Sequence, residues 1–205
     1  MMKNQTSSLS DEDLVTQAKA KDYNAFEELM KRYEKGVYNL ALRMTKNAEE
    51  AEEILQDTFF SAFRNLDGFR EESSFKTWIY KVATNYALMK LRKKKQFSKV
   101  FLDEPLQVEG EEIPRDIADW SRNPEDLYEK RELRRILREA VDSLPEIYQT
   151  VFWLRDIDGL SNQEVAEILG LSLPAVKSRI LRARILMRED LSKYFKDGKS
   201  GKASL

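Results

Sequence analysis

The sequence predicts an all-α protein with two small helical domains joined by an acidic flexible linker, and a helix-turn-helix in the C-terminal domain. Charged residues make up 35% of the 205-residue chain, which has only 7 Gly and 5 Pro, a composition that favours helices. Apolar residues recur at steps of three and four along most of the chain. Residues 97–130 carry 10 acidic and 4 basic side chains, so an acidic segment separates two mildly basic parts.

The composition excludes several kinds of site. Without Cys or His the chain cannot form disulfides or Cys/His zinc sites, and it lacks the usual general base at neutral pH. We therefore expect no enzyme, no metal and no cofactor. No apolar run is long enough to span a membrane, and the polar stretch Met1 to Asp13 lacks the apolar core of a signal peptide, so a cytoplasmic protein is expected.

The N-terminal domain, residues 1–96, is predicted to contain three amphipathic helices. Ser10 is a suitable N-cap, and an apolar stripe continues from Phe26 to Met44. Asn47, with Glu50 three residues later, forms a capping box for the next helix. The apolar stripe of that helix comprises Ala51, Leu55, Thr58, Phe59, Ala62 and Leu66.

The third helix begins after a short loop that follows the helix-breaking Asp67-Gly68 pair. Ser73 or Ser74 caps it. Its predicted apolar stripe comprises Phe75, Trp78, Ile79, Val82, Tyr86 and Met89. Three helices with matching stripes can close one core. From residue 97 to 123 the periodicity is lost and Pro and Gly punctuate the chain, so this segment is predicted to be the linker.

The C-terminal domain, residues 124–205, begins with an Asn123-Pro124 cap and ends in a helix-turn-helix. Ser161–Glu164 forms a capping box for a short helix, Gly170 supplies a left-handed turn, and Ser172 caps the last long helix. A short helix, a glycine turn and a longer helix are the spacing of this motif. On a helical wheel, the residues that face inward are Val176, Ile180, Ala183 and Met187.

The outward face of the last helix is short, polar and basic. Arg can bind a guanine edge through two hydrogen bonds, Ser can bind either kind of base edge, and an aliphatic side chain can contact a thymine methyl group. We therefore expect this helix to lie in the major groove of duplex DNA, with Arg179 and Arg184 flanking it near phosphates. The residues assigned to DNA are Ala175, Lys177, Ser178, Arg179, Leu181 and Arg182. The alternative is a solvated basic helix of a bundle.

Three segments together resemble bacterial RNA polymerase sigma factors. Residues 48–64, AEEAEEILQDTFFSAFR, resemble the polymerase-binding helix, and residues 69–85, FREESSFKTWIYKVATN, resemble the promoter-melting segment that follows it. Residues 143–188 resemble the C-terminal DNA-reading region. Both domains match in order and spacing the small two-domain factors of the extracytoplasmic-function group, group 4. The resemblance implies a protein that binds core RNA polymerase, reads the −35 element as duplex and opens the −10 element as single strand.

The resemblance gives the second helix a role. The residues that face away from its apolar stripe are Glu52, Glu53, Gln56, Asp57 and Phe60. An acidic face with one aromatic residue suits docking on a basic helix, which the resemblance identifies as the clamp coiled coil of the polymerase β′ subunit. A solvated acidic face is the alternative. Family members are often inhibited by an anti-sigma factor, which is a further candidate partner.

The loop from Phe69 to Ser74 is short and polar, as a pocket for one flipped-out base requires. Basic residues of the following helix suit the single-strand backbone. We interpret Phe75 and Trp78 first as core residues and only second as stacking residues. The residues assigned to the −10 element are Arg70, Glu71, Glu72, Ser73, Lys76, Lys81 and Asn85. The acidic residues between Asp103 and Asp119 are expected to pass near the polymerase catalytic centre and imitate nucleic-acid charge.

Two other classes of function remain open from the residues alone. A helix-turn-helix regulator that does not join the polymerase needs the same C-terminal half, but it does not need the pattern of residues 48–85. An all-helical adaptor does not need the outward basic face of the last helix. An enzyme has no supporting group of residues.

Overall fold

A computed structural model describes the backbone of residues 9–100, 133 and 135–200, and the side chains of these residues except 95–100 and 195–200. Every regular element in these ranges is helical, as the sequence predicts. They form two compact units: residues 9–100 with 163–171, and residues 133–162 with 172–200. The Asn123-Pro124 cap and the acidic segment Asp103–Asp119 lie outside the described residues. No helix within them is long and apolar enough to cross a membrane.

The first unit contains four α-helices among the described residues before residue 101, where the sequence predicts three. They are α1 (Asp11–Lys19), α2 (Tyr23–Thr45), α3 (Ala48–Asn65) and α4 (Phe75–Val100). Ser10 caps α1 as predicted, because its side chain accepts a hydrogen bond from the Asp13 N–H at 3.1 Å. The additional break follows from Lys21, whose φ is +70°, and from Asp22, which caps α2 by accepting from the Asn24 N–H at 2.9 Å.

Helix α3 confirms the predicted capping residue and corrects the predicted stripe. The Asn47 side chain accepts a hydrogen bond from the Glu50 N–H at 2.8 Å. Most of the stripe is buried, but Leu55 is only half-buried, and Ile54, which is 2% exposed, occupies the core instead. Ile54 lies one helical turn from both Ala51 and Thr58, which places it on the same face as these residues.

The cap of α4 is as predicted, but its buried face differs. Ser74 is the capping residue, since its Oγ accepts from the Thr77 N–H at 3.1 Å. Met89, assigned to the stripe, is 47% exposed, and Val82 and Tyr86 are half-buried. The residues that are buried instead are Phe75, Ile79, Tyr80, Ala83 and Ala87. Small alanines let neighbouring helices approach closely, a property that a search for large apolar residues overlooks. Helix α4 also continues to Val100, into the predicted linker.

The second unit consists of two short helices joined by a turn, a π-helical turn that follows them, and one long helix. Residues 135–142 form α5, α6 spans Glu146–Phe152, a π-helical turn spans Trp153–Ile157, and α8 spans Leu173–Ser200. Their core consists of Ala140, Leu144, Ala183 and Met187, with Val141, Tyr148, Phe152, Leu186 and Leu191 packed against it. The Ser143 hydroxyl donates to Asp190 at 2.7 Å and ties the α5–α6 turn to α8.

The turn before α8 has the predicted chemistry. Helix α7 spans Asn162–Leu169. Gly170 follows with a φ of +62°, and the Leu171 N–H donates to the Ala166 carbonyl at 2.9 Å. Because L-residues rarely adopt this φ, glycine is the natural residue to end α7. Ser172 then caps α8, its Oγ accepting from the Ala175 N–H at 3.4 Å.

Candidate functional site

Helix α8 presents an exposed polar face opposite a buried apolar one. Val176 and Ala183 are 0% exposed and Ile180 is 6% exposed, so the predicted inward stripe is confirmed. The exposed residues on the other side are Lys177, Ser178, Leu181 and Arg182, whereas Ala175 and Arg179 are half-buried. Exposed Ser, Arg and Leu side chains are groups that can contact base edges in a DNA major groove.

The structure fixes Arg184 at the edge of this face, and the sequence did not predict how. Its Nε and Nη2 donate to both carboxylate oxygens of Asp156, at 3.0 and 2.7 Å. The hydrogen bonds from this guanidinium, followed by the attraction of the Asp156 charge, raise the pKa of Arg184. Asp156 lies in the π-helical turn of the same unit. This bidentate pair therefore joins the turn to α8.

Helix α3 exposes all five residues that the sequence assigned to the polymerase. They are Glu52, Glu53, Gln56, Asp57 and Phe60, the last of which is 63% exposed. Glu53 forms an ion pair with Lys90 of α4, so part of its charge is neutralised within the unit. The Arg64 guanidinium lies 5.6 Å from the centroid of the Phe60 ring. We call this surface, residues 52–60 of α3, the acidic face.

Two further exposed aromatic residues lie next to the acidic face and were missed by the sequence analysis. Phe63 is 47% exposed and Tyr23 is 67% exposed, with ring centroids 6.1 Å apart. Phe63 also packs edge-on against Phe26 at 5.2 Å. Phe63 follows Phe60 by three residues, which places it on the same side of α3, and this spacing was the available signal.

The loop between α3 and α4, residues 69–74, presents charged side chains next to a cluster of aromatic rings. Arg70, Glu71 and Glu72 are exposed, and Ser73 is half-buried. Phe69 is buried and stacks on Trp78, with centroids 4.8 Å apart and an angle of 24° between the rings. We call residues 69–74 the −10 loop, after the promoter element to which the family resemblance assigns them.

The aromatic cluster beside the −10 loop confirms that Phe75 is a core residue. Phe75 is 3% exposed and is a core residue, as predicted, whereas Trp78 is half-buried. Of the other residues that the sequence analysis assigned to the −10 element, Lys76 and Lys81 are half-buried and Asn85 is exposed. Lys81 lies 3.9 Å from the Glu167 carboxylate, and Lys76 lies 5.9 Å from the centroid of the Tyr80 ring. Both lysines therefore already have partners inside the protein.

Known protein families match the chain in both halves. Sigma-70 region 2 matches residues 29–97, and Sigma-70 region 4 matches residues 134–187. The ECF RNA polymerase sigma factor SigW of Bacillus subtilis (strain 168) is 36% identical over 178 residues, covering 86% of this chain and 94% of that protein. The ECF RNA polymerase sigma-E factor of Escherichia coli (strain K12) is 35% identical over 179 residues, covering 86% and 91% respectively.

Solved structures support the fold. The sigma factor RpoE in complex with the anti-sigma factor NepR from Bartonella quintana has a TM-score of 0.65 at 20% identity, covering 82% of this chain and 96% of that one. CnrH in complex with the cytosolic domain of CnrY has a TM-score of 0.63 at 24% identity, covering 89% and 97%. A regulator acting without the polymerase is not favoured, since the relatives are sigma factors over both halves. The chain belongs to the extracytoplasmic-function sigma factors, which bind core RNA polymerase and direct promoter-specific transcription initiation.

Proposed function

We propose that this sigma factor docks on the β′ clamp coiled coil through the acidic face of α3 and reads promoter DNA with two separate surfaces. The exposed face of α8 reads the −35 element as duplex, and the −10 loop with α4 captures the −10 element as single strand. The N-terminal domain ends near residue 96 and the C-terminal domain begins near residue 124. The observation that carries the proposal is that the acidic face and the polar face of α8 are both solvent-exposed while the residues behind them are buried.

Reconstituted transcription tests the function as a whole. The protein is proposed to act in the cytoplasm. In the assay, the purified chain and core polymerase are mixed with a promoter that has been identified by mapping transcription start sites after overexpression. We expect transcripts that depend on both the chain and the promoter. A chain that binds the promoter yet yields no such transcripts contradicts the proposal.

Docking on the polymerase is tested with Asp57→Asn. This change removes one exposed charge from the acidic face, and we expect about tenfold weaker binding to core polymerase, since charge pairs across an interface contribute on that order. Fluorescence titration of the labelled chain with core polymerase measures the affinity. Glu34→Gln is the control, because it removes a carboxylate of α2 that is also exposed. Equal affinities for Asp57→Asn and the unchanged protein contradict the assignment.

Reading of the −35 element is tested on α8. Ser178→Ala and Arg182→Ala each remove one exposed polar group. Loss of one good base contact reduces discrimination by about 1–3 kcal/mol, or roughly 5- to 150-fold in affinity for the correct site. Holoenzyme binding to matched and mutated −35 duplexes measures it, with Lys193→Ala farther along α8 as the control. If both variants lose affinity equally for the two duplexes, the residues contact phosphates and not bases.

An anti-sigma factor is proposed as an inhibitory partner, because RpoE from Bartonella quintana was solved in complex with the anti-sigma factor NepR. CnrH was likewise solved with a bound partner, the cytosolic domain of CnrY. An inhibitor of this kind must compete with core polymerase for the purified chain. A candidate that binds the chain but leaves its titration with core polymerase unchanged is not such a partner.

A further inference from the structure

Lys19, at the end of α1, contacts three different parts of the −10 loop. Its Nζ donates to the Phe69 carbonyl at 2.7 Å and to the Glu71 carboxylate at 2.5 Å. The same nitrogen lies 5.6 Å from the centroid of the Phe69 ring. The Lys19 side chain is only 26% exposed, so this charge is partly sheltered from water. One ammonium group therefore binds a backbone carbonyl, a carboxylate and an aromatic face of the same loop.

The −10 loop needs such support because its backbone is strained at Glu71. Glu71 has a φ of +58°, in the left-handed region that non-glycine residues rarely adopt. Holding a non-glycine residue there costs about 1–3 kcal/mol and persists only where surrounding contacts impose it. Lys19 supports this residue from two points: it binds the carbonyl of Phe69, two residues earlier, and the side chain of Glu71 itself.

The remaining charged residues of the loop extend into solvent. The Arg70 and Glu72 side chains are 83% and 79% exposed, and their nearest approach is a weak pair at 4.0 Å. Glu71 is less exposed, at 45%, because its carboxylate is turned toward α1. The loop therefore separates one carboxylate that is bonded to the protein from two side chains that are available to a ligand.

We propose that Lys19 is a positioning residue of the −10 site: it holds the loop in one conformation through Phe69 and Glu71 and leaves Arg70 and Glu72 to meet the flipped-out base. This inference rests on the proposed −10 function of the loop. It moves Glu71 from the base-contacting set to the supporting structure, and it gives α1 a part in promoter melting. A preformed loop does not have to be ordered when the base enters, which otherwise costs about 1–2 kcal/mol for each residue fixed.

The pairing also removes an electrostatic obstacle. A free carboxylate at position 71 would repel the phosphates of an incoming strand, and the Lys19 ammonium neutralises it at 2.5 Å. Lys21 offers a matched comparison, because it lies two residues away and pairs with Asp67 at 2.8 Å. That second pair is 67% exposed on both sides and contacts neither Phe69 nor Glu71, so it contributes charge without support for the loop.

The test compares Lys19→Met with Lys21→Met in the complete holoenzyme. The ligand is a single-stranded −10 oligonucleotide of the mapped promoter, with 2-aminopurine next to the captured base as the fluorescent reporter, and core polymerase affinity is measured in parallel. We expect about tenfold weaker oligonucleotide binding for Lys19→Met, since it loses a charge-assisted hydrogen bond pair, and less than about twofold for Lys21→Met. Lys19→Arg should retain most of the binding. Equal losses for the two Met variants, or no loss for Lys19→Met, overturn the proposal.

A second variant separates support from direct contact. Glu71→Gln should weaken oligonucleotide binding without changing which base is preferred, and combining it with Lys19→Met should add little further loss. A change in base preference, or additive losses, would mean that Glu71 contacts the base and would overturn the inference. Thermal unfolding shows whether each variant is folded. If Lys19→Met does not fold, Lys19→Arg and Glu71→Gln still test the proposal. If the unchanged holoenzyme shows no preference for the −10 strand, the proposed function itself fails.

Discussion

Gly36 of α2 leaves room for the Tyr80 hydroxyl of α4, and its replacement by alanine has two opposing effects on stability. Gly36 lies inside α2, where alanine is normally the more stable residue by about 0.8–1.0 kcal/mol. A Cβ at this position, however, would overlap the hydroxyl of Tyr80 and lie 3.4 Å from its Cζ. Tyr80 is only 4% exposed, so its ring has little room to withdraw. Helix propensity predicts that Gly36→Ala stabilises the protein, and packing predicts the opposite.

The packing effect is the larger one. Forcing an extra methyl group into a close-packed core costs about 1–3 kcal/mol, because side chains leave their preferred rotamers or the backbone shifts. Subtracting the gain in helix propensity leaves a net destabilisation of about 0–2 kcal/mol. Removing the obstacle reverses this balance. Gly36→Ala combined with Tyr80→Phe should therefore be destabilised by at least about 1 kcal/mol less than the sum of the two single changes.

Urea unfolding of the full chain, followed by far-UV circular dichroism, measures these differences. Gly68→Ala is the control, since a Cβ there meets nothing within 4 Å, and we expect a change within about 0.5 kcal/mol. An increase in the free energy of unfolding of Gly36→Ala by the amount expected from helix propensity would show that packing against Tyr80 does not matter. A cost of the added methyl group that Tyr80→Phe does not reduce would show the same.

Three further outcomes are expected. Thr58→Val should raise the free energy of unfolding by about 1 kcal/mol, because the buried Thr58 hydroxyl has no hydrogen-bond partner; a decrease would contradict this. Asp156→Asn should weaken binding to the −35 element, measured in salt titrations, because Arg184 loses its bidentate partner. Tighter binding would mean that the Asp156 charge only repels the DNA. Burial, and then the hydrogen bond to Asp11, raise the pKa of Tyr33 above its usual value. The contribution of the neutral Tyr33 hydroxyl to the free energy of unfolding is therefore complete below about pH 10 and is lost as the pH rises further. Tyr33→Phe should reduce this alkaline loss of stability, which unfolding experiments at high pH measure.

Features that depend on a few neighbouring residues could be predicted from the sequence. Asn47 and Ser74 cap their helices through hydrogen bonds to N–H groups three residues away, so the sequence contains both partners within one turn. The left-handed Gly170 follows from the same local chemistry. The inward stripe of α8 was correct because its apolar residues are large and repeat regularly. In α4 the same method failed, since Ala83 and Ala87 are buried and Met89 is exposed.

Pairs between distant residues could not be predicted, and they decide which charges of a surface are available. Lys19 and Glu71 are 52 residues apart, and Asp156 and Arg184 are 28 apart, so no spacing rule connects them. From the sequence alone, every charged residue of a face therefore looks equally available to a partner.

The acidic face and the −10 loop show why counting every charged residue overstates the number of contacts with the polymerase and with DNA. A charge already held by a partner in the same unit must give up that partner before it can bind another molecule, so its net contribution to binding is smaller. Glu53 is held by Lys90, and Glu71 is held by Lys19. Asp57, by contrast, is exposed, and Arg70 is 83% exposed with its Glu72 partner as far away as 4.0 Å. Substitutions at Asp57 and Arg70 should therefore change partner affinity, while substitutions at Glu53 and Glu71 should first change the internal structure of the unit.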